Sequence, residues 1–146
     1  MIQAREVLLV DDNPADIDLT HDALSRSRFP THIRAVGDGV EALAFLERSG
    51  KYADAFAPDL IILDLNLPRK DGRAVLSELK SKPQLRKTPV IIFSTSRASS
   101  DISRSYELGA NSYVSKPGNL QDYISTIGHI GDFWLGCAHL PPREEL

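Results

Sequence analysis

Three carboxylates, one hydroxyl and one ammonium carry the chemistry open to this chain. Asp11 and Asp12 follow the apolar run Val7–Val10, and Asp64 follows Leu60–Leu63. Ser94 closes "PVIIFS", and Lys116 closes "NSYVSK" just before Pro117. Any one of these residues is an ordinary solvated strand end, because charged side chains are mostly exposed. Their recurrence at the ends of four separate runs points to a shared site. Three carboxylates against one ammonium leave a doubly negative cluster, which one divalent hard cation balances. An all-oxygen donor set points to a hard cation, Mg2+. Without metal, crowded carboxylates repel and at least one pKa rises.

The elements that must position these residues are legible as an alternation. Val7–Val10, Ile33–Val36, Leu60–Leu63, Val90–Phe93 and Ser112–Val114 are short apolar runs bounded by turn or charged residues, which reads as strand. "LIIL" and "VIIF" are continuous, as in parallel strands buried on both faces. Helix signals fall between them. Asn13-Pro14 offers an N-cap and a first-turn proline, with Ile17, Thr20 and Leu24 on one face. Asp38 caps a helix carrying Val40, Leu43 and Leu46 and stopping at Gly50. Asp71-Gly72 opens one with Val75, Leu76 and Leu79. Ser99 or Ser100 caps one with Ile102, Tyr106 and Leu108. Asn119 begins the last, with Leu120, Tyr123, Ile124 and Ile127 on one stripe. This βα order, repeated five times, predicts an α/β fold: a doubly wound, parallel five-stranded sheet whose functional crevice lies at the carboxyl ends of its strands.

Composition excludes several classes. The 146 residues fit one domain, and a formal charge of −3 offers no basic field for nucleic acid or an anionic membrane. No apolar run approaches a membrane span. A single cysteine, Cys137, permits no internal disulfide, so a reducing, cytoplasmic home is expected. His21, His32, His129 and His139 lack metal-ligand spacing.

"LLVDDN", "PDLIILDLNLPRKDG", "TPVIIFSTS" and "SYVSKP" together resemble the two-component response-regulator receiver domain, over about residues 5–136. The segment "KYADAFAPDLIILDLNLPRKDGR" and the ending "GDFWLGCAHLPP" further resemble the stand-alone regulators that partner cyanobacterial and bacterial phytochromes. The resemblance implies a flavodoxin-like sheet of order 2-1-3-4-5 in a receiver domain spanning residues 1–136. Residues 137–146 then form a tail, a possible dimer contact, with no output domain. It also implies roles: Asp64 as phosphoacceptor, and Asp11, Asp12, Asp64 and the carbonyl of Asn66 as Mg2+ ligands. Ser94 and Lys116 bind the phosphoryl group, Ser94 and Tyr113 switch, and Pro117 follows a cis bond. The implied partners are a sensor histidine kinase, a phytochrome, and a downstream protein that the sequence does not name. Helix five continues through Ile127, Ile130 and Trp134, with Phe133 and Leu135 off that stripe. Apolar residues on both sides of a helix end predict a homodimer interface at Phe133, Trp134 and Leu135.

Other functions fit less well. "DLN" at Asp64 superficially resembles the nucleophile motif of aspartyl phosphatases, but those enzymes place it after their first strand. The first βα turn, "DDNPAD", has no glycine to cradle a nucleotide phosphate.

Overall fold

The computed structural model describes residues 3–143. Strands β1 (Arg5–Val10), β2 (Thr31–Val36), β3 (Leu60–Leu63), β4 (Val90–Ser94) and β5 (Ser112–Ser115) alternate with helices α1 (Pro14–Ser25), α2 (Gly39–Leu46), α3 (Gly72–Ser81), α4 (Ser99–Glu107) and α5 (Leu120–Gly131). All pairings are parallel, in the order β2-β1-β3-β4-β5. The βα alternation and the expected order therefore hold.

Side chains of a strand point alternately to opposite faces, and both faces here are apolar. Leu8, Val10, Ile61, Leu63, Val90 and Ile92 pack with Leu43, Leu46, Val75, Leu76 and Leu79 of α2 and α3. Val7, Leu9, Leu60, Ile62, Ile91 and Phe93 pack with Leu24 of α1 and Tyr123, Ile127 and Ile130 of α5. That is why "LIIL" and "VIIF" read as continuous runs. The long segment before β3 folds back on α2: Tyr52 is buried edge-on against Phe45 and its phenol donates to Glu41 at 2.7 Å.

Four expectations need correction. The N-cap of α4 is Ala98, without a side-chain acceptor, rather than Ser99 or Ser100; Ser96 Oγ accepts from the Ala98 N–H instead. Tyr106 is exposed and Ser105 is buried on that helix. The Tyr106 hydroxyl accepts the Tyr113 N–H at 3.1 Å, because β5 is an edge strand whose outward N–H groups need partners. On α5 the buried stripe is Tyr123, Ile127 and Ile130, whereas Leu120 and Ile124 face solvent. Finally, Leu135 is 8% exposed and belongs to the core, Trp134 packs partly against it, and only Phe133, at 53%, is open. The reason is a π-helical turn over Asp132–Cys137, in which the Ala138 N–H bonds Phe133 O five residues back. The wider turn rotates Leu135 onto the inner face.

The following chain crosses to the amino-terminal end of the strands. Leu140 is buried there, and Arg143 holds Asp59 through Nε at 3.1 Å and Nη2 at 2.5 Å, with Nη2 also donating to Ala4 O. Residues 144–146 of the expected tail lie outside the described residues. No helix among the described residues is long and apolar enough to cross a membrane.

Candidate functional site

The crevice forms where β1, β3, β4 and β5 end. Asp11 directly follows β1, and its N–H is paired with Val36 O. Its carboxylate turns inward: Oδ1 accepts from the Asn13 N–H at 2.9 Å and Oδ2 from Lys116 Nζ at 2.7 Å. Asn13 in turn caps α1, accepting from Ala15 and Asp16 N–H groups, with Pro14 at the first position. Asp64 follows β3 in the same way. Its N–H bonds Val10 O, Oδ1 accepts from the Leu65 N–H at 2.7 Å, and Oδ2 lies 3.0 Å from Lys116 Nζ. Gly72 lets α3 start tight against the backbone here, because a Cβ there would overlap the Asp64 carbonyl oxygen.

Lys116 follows β5 and is buried, its N–H bonded to Ser94 O at 2.7 Å. Besides Asp11 and Asp64 it meets Asp16 at 2.9 Å. Sequence reasoning missed Asp16. The signal was available, since an Asn-Pro helix start fixes the phase of α1 and puts Asp16 in its first turn. A carboxylate there also suits the helix dipole. Asp12 is exposed at the rim, and one carboxylate oxygen from each of Asp11, Asp12 and Asp64 lies within 4.8 Å of the others. Asn66 is exposed in the loop after β3.

Four carboxylates thus face one ammonium, a more negative cluster than the sequence predicts. Burial pushes the Asp11 carboxyl above its ordinary value, against the lowering effect of Lys116 and the Asn13 N–H. Burial alone would lower the Lys116 pKa, but the hydrogen bonds to Asp11 and Asp16 and the charge of Asp64 outweigh it and raise it. Lys116 is therefore charged at neutral pH.

Ser94 is fully buried and its Oγ accepts from the Ser96 N–H at 3.3 Å. Tyr113 lies inward: its ring packs partly on the α3 side of the core and its hydroxyl donates to Ser96 O at 2.8 Å. Thr95 is exposed. The bond before Pro117 is trans, correcting the expected cis geometry. Trans is the lower-energy form by about 0.5–1 kcal/mol. Here the β5 register, the Ser94 carbonyl and three carboxylates hold Lys116 in place without the cis form.

The response regulator receiver domain profile matches residues 7–128. The chain is 42% identical to the response regulator Rcp1 of Synechocystis sp. over 135 residues, 92% of each chain. It superposes on the phosphorylated cyanobacterial phytochrome response regulator RcpA with a TM-score of 0.93 at 47% identity, over 96% of this chain and 100% of that one. For the Mn(2+)-bound form of Rcp1 the TM-score is 0.92 at 41% identity, over 94% and 99%. Parallel sheet, acidic crevice and these likenesses agree: the chain belongs to the response regulator receiver domain family, two-component signalling proteins phosphorylated by histidine kinases, and is related to the phytochrome response regulators.

Proposed function

We propose that Asp64 takes a phosphoryl group from the phosphohistidine of a sensor histidine kinase of the phytochrome type, and that the modified protein signals by a changed conformation and changed contacts. The observation that carries this reading is the ammonium of Lys116, 3.0 Å from Asp64 Oδ2, beside a three-carboxylate cluster. An Asp64 oxygen attacks phosphorus and the P–N bond breaks; the phosphohistidine ring, already protonated at its other nitrogen, leaves as neutral imidazole. Phosphoryl transfer of this kind is mostly positioning and charge stabilisation. Asp64 is positioned by the Leu65 N–H and Lys116, and Lys116 meets the charge developing on the equatorial oxygens. The chain catalyses only its own phosphorylation and dephosphorylation.

The donor set fits a divalent hard cation: three carboxylates, one of them exposed to solvent at the rim, with no sulfur or imidazole among them. Asp11, Asp12, Asp64 and the Asn66 carbonyl would hold Mg2+, which supplies further positive charge beside the transferred group. Ser94 then donates to the phosphoryl oxygens, and Tyr113 reports that bond to the surface of α4 and β5.

The expected test uses a purified phytochrome kinase carrying radiolabelled phosphohistidine. In Mg2+ the label moves to this chain, and chelation stops the transfer. Label that stays on the kinase with Mg2+ present would remove the assignment. The lone cysteine supports a cytoplasmic setting. A homodimer through exposed Phe133, flanked by Trp134, completes the reading. Sedimentation should show a mass that rises with concentration, and less so in Phe133→Ala; a concentration-independent monomer refutes the dimer.

A further inference from the structure

Ser96 is bonded at all three of its polar atoms, and each partner matters to the crevice. Its N–H donates to Ser94 Oγ at 3.3 Å, its carbonyl accepts from Tyr113 at 2.8 Å, and its Oγ donates to Asp101 Oδ2 at 2.6 Å. Asp101 stands in the first turn of α4 and is gripped from α3: Arg73 Nη2 donates to Asp101 Oδ1 at 2.6 Å. Arg73 Nη1 also lies 3.1 Å from Asp71 Oδ1, the N-cap of α3. A polar chain therefore runs from the Ser94 hydroxyl, through the β4–α4 loop, to the start of α3. The loop needs this anchor, because Ala98 gives α4 no side-chain cap.

The charges fit a firm link. The Ser96 hydroxyl and then Arg73 hold the Asp101 carboxyl below its ordinary value, and Asp101 holds Arg73 above its own. The hydroxyl of Ser94 has one proton and two lone pairs. With a lone pair engaged by the Ser96 N–H, the proton remains to be given. An acyl phosphate on Asp64 is the strong acceptor that the proposed function brings to it.

We propose that the Arg73–Asp101 ion pair is a positioning latch for phosphoryl recognition: it fixes Ser96, and Ser96 holds Ser94 with its hydroxyl proton free for the phosphoryl group. The latch rests on the reading of Asp64 as phosphoacceptor. Arg73 and Asp101 touch neither the metal ligands nor the transferred group, so their effect must travel through Ser96.

The test is calorimetric titration with beryllofluoride, a stable phosphoryl mimic, in Mg2+. Asp101→Asn and Arg73→Met should each weaken mimic binding about tenfold, within the usual range of coupling between sites. The double variant should lose no more than the weaker single variant, because both cut one chain. Arg73→Lys should recover part of the loss, and Ser96→Ala, which leaves the ion pair whole, should reproduce it. Mg2+ affinity without fluoride should not change, which a general loosening of the fold would not spare. Unchanged or tighter mimic binding in the single variants, or losses that add, overturns the latch. Wild-type protein that ignores the mimic, or Asp64→Asn that binds it equally well, overturns the phosphoacceptor reading instead.

Discussion

Asparagine at position 64 is expected to abolish phosphoryl uptake while the domain stays folded. The substitution keeps the shape of the side chain and one oxygen for the Leu65 N–H, which Asp64 Oδ1 accepts at 2.7 Å. Lys116 keeps Asp11 and Asp16 as partners at 2.7 and 2.9 Å. One negative charge leaves a cluster that holds too many. The cost in stability should therefore stay within about 1 kcal/mol, the net worth of an ordinary hydrogen bond. Urea denaturation followed by circular dichroism measures it. The chemistry has no such reserve, because an amide oxygen is a poor nucleophile and cannot carry an acyl phosphate. The loss of uptake is expected to be complete, not partial.

Lys116→Met acts in the opposite sense, on the fold as well as on the reaction. Lys116 is the cation that Asp11, Asp16 and Asp64 share, and Asp11, its nearest partner, is buried. Removing one member of a buried charge pair costs about 3–5 kcal/mol. Divalent metal should restore part of this by mass action on the folded state, about 2.7 kcal/mol at a hundredfold excess over its Kd. With its ammonium gone the acidic cluster should bind metal more tightly, so at equal Mg2+ the stabilisation should be larger in the variant than in the wild type, as thermal unfolding with and without Mg2+ would read. Phosphorylation should slow by about a hundredfold or more, the usual effect of losing one preorganised charge donor. The pH dependence follows from the sign of the shift. Lys116 has a pKa raised by folding, so its stabilisation is full below the ordinary lysine value of 10.5 and lost only as pH rises past it. The gap between wild type and variant should accordingly persist across neutral pH.

Most of this architecture could be read from the chain because buried parallel strands leave a plain signal. "LIIL" and "VIIF" stay apolar throughout since helices cover both faces, and Asn13, Asp38, Asp71 and Asn119 each cap the helix expected of them. What failed had weaker local grounds. Ser99 and Ser100 are both sound caps in isolation, and Ser96 took over the loop through a contact with Asp101. Leu135 fell on the wrong side of an ideal helix because a π turn shifts the phase, which periodicity alone cannot reveal. At the site, Asp11, Asp12, Asp64, Ser94 and Lys116 were legible as strand ends. Asp16 was not, because it reaches the crevice from a helix. The Arg73–Asp101 pair joins residues 28 positions apart, and no local pattern announces it.

Wild-type protein and Asp64→Asn are incubated with Mg2+ and acetyl phosphate, and their intact masses are compared. The wild type should gain one phosphoryl group, labile to base as an acyl phosphate is, and the variant none. An equal gain in Asp64→Asn, or a wild type whose mass never changes, would contradict the assignment of Asp64 as the residue that the crevice serves.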